Sequence, residues 1–326
     1  MRFWNSRPPP LPFLLLGVML GTTPAHACSV PVFRYALEHW KADAYEAIVL
    51  HHGPLTEVQQ AMVRTLRAGG AADKLPANLS LSTADLDSNP APELAELGRQ
   101  IKPAAYPWVV LRSPRKGPAG SVLWSGPLNE VERQPLIESP ARKEIITRLA
   151  QGQSAVWLLL ESGDPDQDAA AAKLVEARLA YLAATLTLPK LEAIDIANGL
   201  VSIGQDDLRL EFSLLRLARQ APAEQPFIQM LLGTEPDLGK VREPIIFPVF
   251  GRGRALYALV GSGIRRETID QAASFLIGKC SCQVKEQNPG SDLLLAANWE
   301  QLIKAQTNGV PDLPTLAELA KLAPAT

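Results

Sequence analysis

The sequence predicts an α/β protein of two tandem domains, each a mixed sheet flanked by helices, followed by a helical C-terminal tail. Short aliphatic runs alternate with segments of helical periodicity, the pattern of sheets covered by helices. The 326 residues suffice for about two domains. The order strand, helix, strand, helix, strand, strand, helix also occurs twice, and the two copies end alike.

Residues 1–27 read as a signal peptide. Arg2 and Arg7 precede an apolar run from Leu11 to Leu20, and Ala25-His26-Ala27 offers small residues at a cleavage site. That run is too short for a bilayer, which needs about 20 apolar residues, and no later segment supplies them. The expected location is periplasmic or secreted. Cleavage after Ala27 removes two arginines and leaves 30 basic against 34 acidic residues, with Cys28 first. An acylated Cys28 would anchor the protein to a membrane, but Ala25 and His26 depart from the usual lipoprotein signal. The net charge of -2 for the full chain leaves no electrostatic footprint for nucleic acid.

The first domain is expected over 28–152. Phe33, Leu37 and Trp40 lie at helical spacing between Val32 and Lys41, and Tyr45 to His51 reads as a buried strand. Gly53-Pro54 breaks it, and Thr56 caps a helix running to about Ala68 and ended by Gly69-Gly70. Asn78 to Thr83 alternates as a second strand, and Pro92 to Ile101 forms a helix after Asn89-Pro90. Tyr106 to Arg112 and Ser121 to Trp124 read as a hairpin, and Ser139 to Leu149 as the closing helix.

The second domain, 153–282, repeats this order. Ala155 to Leu160 is a strand, Asp166 to Leu186 a long helix, Leu208 to Leu217 a strand and Phe227 to Leu232 a short helix. Asp164, Asp166 and Asp168 suit the positive end of the long helix and lack the full pattern of a calcium loop. Pro244 to Phe250 enters a hairpin through Gly251-Arg252-Gly253-Arg254 to a strand from Ala255 to Val260, and Arg266 to Ile277 closes the copy. In the extension, 283–326, Ser291-Asp292 is expected to cap a helix through Trp299 to Ile303, before a Pro-rich stretch and a short terminal helix.

This element order, with Tyr106-Pro107-Trp108-Val109-Val110 entering the third strand, resembles the thioredoxin fold, and the repeat makes it a tandem of thioredoxin-like domains. The resemblance implies a cis proline at Pro107 facing the loop after the first strand, with Pro244 in that role in the second domain. It also implies a Cys-x-x-Cys at the end of each first strand, where a helix N-terminus would lower the thiol pKa. The chain has His51-His52-Gly53-Pro54 and Ser162-Gly163-Asp164-Pro165 there instead. The scaffold carries over without the dithiol chemistry, as in redox-inactive members of the fold.

Three cysteines remain, Cys28, Cys280 and Cys282, and several readings stay open. Cys280 and Cys282 can close a strained, easily reduced ring. One of them can instead bond Cys28 and fasten the mature N-terminus to the far end of the chain. All three thiolates, with His51 or His52, can form a soft site for Cu or Zn. Otherwise they are buried or unpaired thiols. Acylation of the Cys28 sulfur would defeat the readings that use it. His51 and His52 are adjacent on a strand, so they face opposite sides and share one ion only where the chain has turned. Arg252 and Arg254 are candidate anion contacts, though a hairpin turn also tolerates exposed arginines.

No Gly-x-Ser-x-Gly, His-Glu-x-x-His or phosphate loop occurs, so nothing points to an enzyme. The expectation is an exported, redox-inactive binding or assembly module of the bacterial cell envelope, with protein partners and no cofactor. Its binding surface is expected near Pro107 and Pro244, rimmed by His51, His52 and Arg252. The alternative is a metal or thiol handling protein centred on the three cysteines.

Overall fold

The computed structural model describes residues 28–67, 76–114, 120–129, 136–280 and 284–307. The leader, Gly69-Gly70, Cys282 and the terminal helix expected in the tail lie outside the described residues.

Tyr45 to Leu50 is a near-continuous aliphatic run, and such a run suits a strand buried on both faces. It forms β1 (Tyr45–His51) at the centre of a four-stranded sheet of order β2-β1-β3-β4, with β2 (Leu79–Asp85), β3 (Trp108–Arg112) and β4 (Val122–Pro127). β2 runs parallel to β1, β3 is antiparallel to β1, and β4 is antiparallel to β3. Parallel neighbours need a long crossover. Here it contains α2 (Glu57–Arg67), which follows α1 (Val32–His39) in the chain. Thr56 and Gln59 cap α2 reciprocally: Gln59 N donates to Thr56 Oγ1 at 3.3 Å and Thr56 N to Gln59 Oε1 at 2.9 Å. α3 (Pro92–Ile101) has the expected bounds, with proline in its first turn, where no intrahelical N–H is lost. α4 (Pro140–Ala150) closes the copy.

The second sheet repeats this arrangement. β5 (Ala155–Leu160) lies between its parallel partner β6 (Phe212–Leu217) and the antiparallel β7 (Ile245–Phe250), and β7 pairs antiparallel with β8 (Arg254–Ala255). Its helices are α5 (Pro165–Thr185), α6 (Ala193–Ala197), α7 (Gln225–Leu232) and α8 (Arg266–Ile277). Asp164 caps α5, accepting from Asp166 N and Gln167 N. The single strand expected over 255–260 is interrupted: β9 (Leu259–Val260) pairs separately with the start of β7. Pro248 lies in β7 and has no N–H for the ladder, so the facing chain breaks away after Leu256, which donates to Pro248 O at 2.9 Å.

Period-2 alternation assigns the layers. Ala47 and Val49 of β1, with Val109 and Leu111 of β3, share one cluster with Val156, Leu158 and Leu160 of β5 and Phe247 and Val249 of β7. The two sheets therefore enclose a common core, filled from between by residues of α2, α4 and α7 such as Leu66, Ile145 and Phe227. Ile48, Leu50 and Val110 face the other way, toward Leu97 of α3. Trp157, Leu159 and Ile246 face outward beneath α5, α8 and α1.

The chain ends depart from the expected boundaries. Residues 28–40 pack on the second sheet, with Val32 N donating to Gly278 O at 3.0 Å. The turn at Gly251 allows this: its φ is +58°, and a Cβ there would lie 2.8 Å from Ala36 Cβ. The C-terminal segment is likewise no separate tail. Ser291 and Asp292 form β10 on the edge of the second sheet rather than a helix cap, because the Asp292 carboxylate is held by buried cations. Ala297 N then donates to Pro76 O at 2.9 Å, and Ile303 of α9 (Trp299–Thr307) enters the common core. Residues 28–40 thus join the second copy, and the chain after β10 reaches back to the first.

Candidate functional site

At the end of β1 the backbone turns at Gly53, φ +59°, and Gly53 N donates to Asp85 Oδ1 at 3.1 Å. Asp87 N donates to the same oxygen at 3.0 Å and Ser88 Oγ to Oδ2 at 2.8 Å, and the Asp87 and Ser88 bonds, with that of Gly53, hold the Asp85 carboxyl below its usual range. Within this frame His51 Nδ1 lies 2.8 Å from Gly53 O, whereas His52 Nδ1 lies 2.7 Å from Asp87 Oδ1. The two imidazoles engage different partners. Among the described residues no cluster of three or more His, Cys, Asp or Glu side chains could hold a metal ion. The His52 ring meets Tyr106 edge-on, with centroids 4.4 Å apart, and the Tyr106–Pro107 peptide bond is cis. The exposed His52 and Asp87 and the half-buried Tyr106 and Pro107 thus form one polar and aromatic surface at the tip of the first sheet.

The equivalent tip of the second sheet is built differently. Asp168, buried at 3% exposure, accepts from Ser162 N at 2.7 Å, Ser162 Oγ at 2.8 Å and Gly163 N at 3.0 Å, which closes the loop. Among the described residues Tyr106–Pro107 is the cis peptide, so the bond before Pro244 is trans. Pro244 does not reproduce Pro107. Arg219 fills this end instead, donating to Glu161 O, Val241 O and Glu243 O.

Arg252, expected on the rim, and Arg254, expected with it as an anion contact, lie at the opposite end of β7 and point inward. Arg252 donates to Leu37 O at 2.7 Å, Glu38 O at 2.8 Å and Glu300 Oε1 at 2.8 Å. Arg254 donates to Pro289 O, Asn288 O and Asp292 Oδ1. They clasp α1 and the C-terminal segment rather than offering themselves to an external anion. The turn glycines carry both arginines over the chain ends, a placement that the hairpin reading alone does not contain.

Cys28 and Cys280 enter the same buried cluster, at 4% and 1% exposure, beside Tyr35. Cys280 N donates to Val30 O at 2.8 Å, and Pro31 bridges Lys279, so the first described residues lie beside the end of the second copy. No disulfide joins Cys28 to Cys280. Burial pushes the Cys28 thiol above its ordinary value, partly opposed by a hydrogen bond from the Val30 backbone. Ser29 pins this segment: its N–H donates to Asp195 Oδ2 at 2.7 Å, its hydroxyl donates to the same oxygen, and Glu192 N donates to Ser29 Oγ at 2.8 Å.

Sequence reasoning missed a buried ionic cluster between the two copies. Lys285 Nζ reaches Asp43 Oδ1 at 2.6 Å, Asp292 Oδ2 at 2.5 Å and Lys41 O at 2.7 Å. Asp43 N and Tyr45 Oη donate to Asp292, to Oδ2 and to the main-chain O, both at 2.7 Å. Asp43 and Asp292 are 249 positions apart, and no local pattern marks them as partners. Burial, with the nearby Asp292, raises the Tyr45 phenol pKa above its usual value.

The chain is therefore an α/β protein with two mixed sheets flanked by helices, joined by one core and by the segments at either end of the described residues. No protein-family model matches it, and no curated protein matches it.

Proposed function

We propose that the chain is an exported, redox-inactive binding or assembly module of the bacterial cell envelope, made of two thioredoxin-like domains. The shared strand order and directions of the two sheets support the duplicated fold. The reading is carried by one observation: the cis Pro107 and Tyr106 stand beside His52, where the resemblance would put a reactive cysteine. An imidazole paired with a carboxylate and set edge-on to a phenol offers hydrogen bonds and an aromatic face to a protein segment, without a thiol. The second tip is sealed by Asp168 and Arg219, so binding is assigned to the first. A photo-crosslinking residue at position 52 of the mature protein, in envelope extracts, should capture a defined partner that Tyr106→Ala loses. Efficient turnover of a disulfide substrate by the purified protein, or position 52 capturing nothing, overturns the reading.

A second reading, metal or thiol handling with Cu or Zn, is favoured by the convergence of Cys28 and Cys280 in one cluster. A buried thiol with a raised pKa is a poor thiolate ligand, which weighs against it. Burial of Cys28 also opposes acylation at its sulfur, since a lipid there would have to leave the apolar cluster. Elemental analysis of anaerobically purified protein, with intact mass before and after reduction, separates metal, disulfide, lipid and free thiol.

A further inference from the structure

Tyr45 begins β1 and His51 ends it, six residues away or roughly 20 Å at the strand rise. At the Tyr45 end a cavity of about 340 Å³ opens between the two copies and the C-terminal segment. Its size and its position at an interface of structural units suit a small ligand. One wall is Leu123 of β4 against α7, closed where Leu123 meets the end of that helix. A Cβ on Gly233 would lie 2.3 Å from Leu123 Cδ2, so a side chain there would push the leucine aside. With Met230, Pro114 and Pro236, Leu123 makes the cavity largely apolar.

The polar lining is led by the carboxylates of Asp43 and Asp292, with the hydroxyls of Tyr45, Ser113, Ser121 and Thr234. The Asp292 carboxylate is committed to Arg254, Lys285 and Asp43 N. Asp43 differs: Lys285 occupies its Oδ1, its side chain keeps 39% exposure, and its Oδ2 has no protein partner among the described residues. The Thr234 hydroxyl donates to Leu231 O and Tyr45 Oη donates to Asp292 O, so these two oxygens are left as acceptors. A carboxylate oxygen and hydroxyl acceptors over an apolar floor match a donor-only head on an aliphatic stem.

The geometry points to a binding site for a primary ammonium group on a short aliphatic chain, received by Asp43, supplied as a free amine or as a lysine side chain of a peptide. The site lies at the other end of β1 from the surface assigned above and does not depend on it. The test uses the mature protein titrated with cadaverine and, separately, with Nα-acetyl-lysine amide, followed by NMR shifts and calorimetry, with n-butyrate as the anionic comparison. Either amine should bind while n-butyrate does not, and the tighter of the two identifies the source. Ser121→Trp fills the cavity and leaves the ionic cluster intact. It should weaken amine binding at least tenfold, and Asp43→Asn should do the same. The proposal is overturned if neither amine binds, if n-butyrate binds equally well, or if Ser121→Trp binds the amines as the unaltered protein does.

Discussion

Replacing Asp292 with Asn tests whether the ionic cluster holds the two copies together. Asp292 is 4% exposed and faces Arg254 Nη1 at 3.0 Å and Lys285 Nζ at 2.5 Å, whose side chains are 7% and 10% exposed. Asparagine keeps the shape and removes the charge, leaving two buried cations beside each other. Removing one partner of a buried pair costs about 3–5 kcal/mol, chiefly from the uncompensated charge left behind. Lys285 retains Asp43 at 2.6 Å and Lys41 O, which places the expectation near the lower end, about 3 kcal/mol. A domain is stabilised by about 5–15 kcal/mol in all, so the loss is easily measured. Urea unfolding followed by circular dichroism should show a lower midpoint at an unchanged slope. Adding Lys285→Met to the variant should recover part of the loss, because it removes one of the stranded cations. Glu267→Gln, which alters an exposed pair 3.9 Å apart, should leave the midpoint unchanged. A cost below about 1 kcal/mol for Asp292→Asn, the level of a surface pair, would refute the reasoning.

Leu158→Ala should cost about 2–5 kcal/mol, since Leu158 is fully buried in the core that both sheets share. Fluorescence and circular dichroism should still report one coincident transition; two separate ones would contradict a common core. Gly251→Ala forces a side chain into positive φ and against Ala36. It should cost about 1–3 kcal/mol and speed amide exchange in α1 more than in α3. Alkaline stability follows from Cys28, raised above its ordinary 9.0, and Tyr45, raised above 10.0. Both hold their protons longer in the folded state, so their contribution is complete below the unfolded pKa values and is lost as pH rises through the folded ones. Unfolding midpoints should therefore fall as pH rises past about 9, and less so in Tyr45→Phe; a flat profile would contradict the burial of both groups.

Residues 45–150 were legible because their signals are local. Aliphatic runs separated by Gly53-Pro54 and Asn89-Pro90 set strand and helix boundaries within about three residues, and Thr56 caps as its side-chain chemistry requires. His51, His52 and Pro107 came together for the same reason, since the order of elements brings the start of β3 beside the end of β1. The split between β8 and β9 depends on an N–H that Pro248 lacks in the facing strand, a condition visible only once the pairing register is known.

The sequence by itself determined the alternation of elements, the twofold repetition of their order and the apolar faces, because hydrophobic periodicity and turn chemistry act over a few residues. Tertiary structure alone decided which copy residues 28–40 and the chain after β10 join, the inward turn of Arg252 and Arg254, and the meeting of Asp43 with Lys285 and Asp292. The contacts of Arg252 with Leu37, of Lys285 with Asp43 and of Asp43 with Asp292 link residues more than 200 positions apart. A buried charge must find a partner wherever the packed chain brings one, and sequence spacing holds no record of that distance.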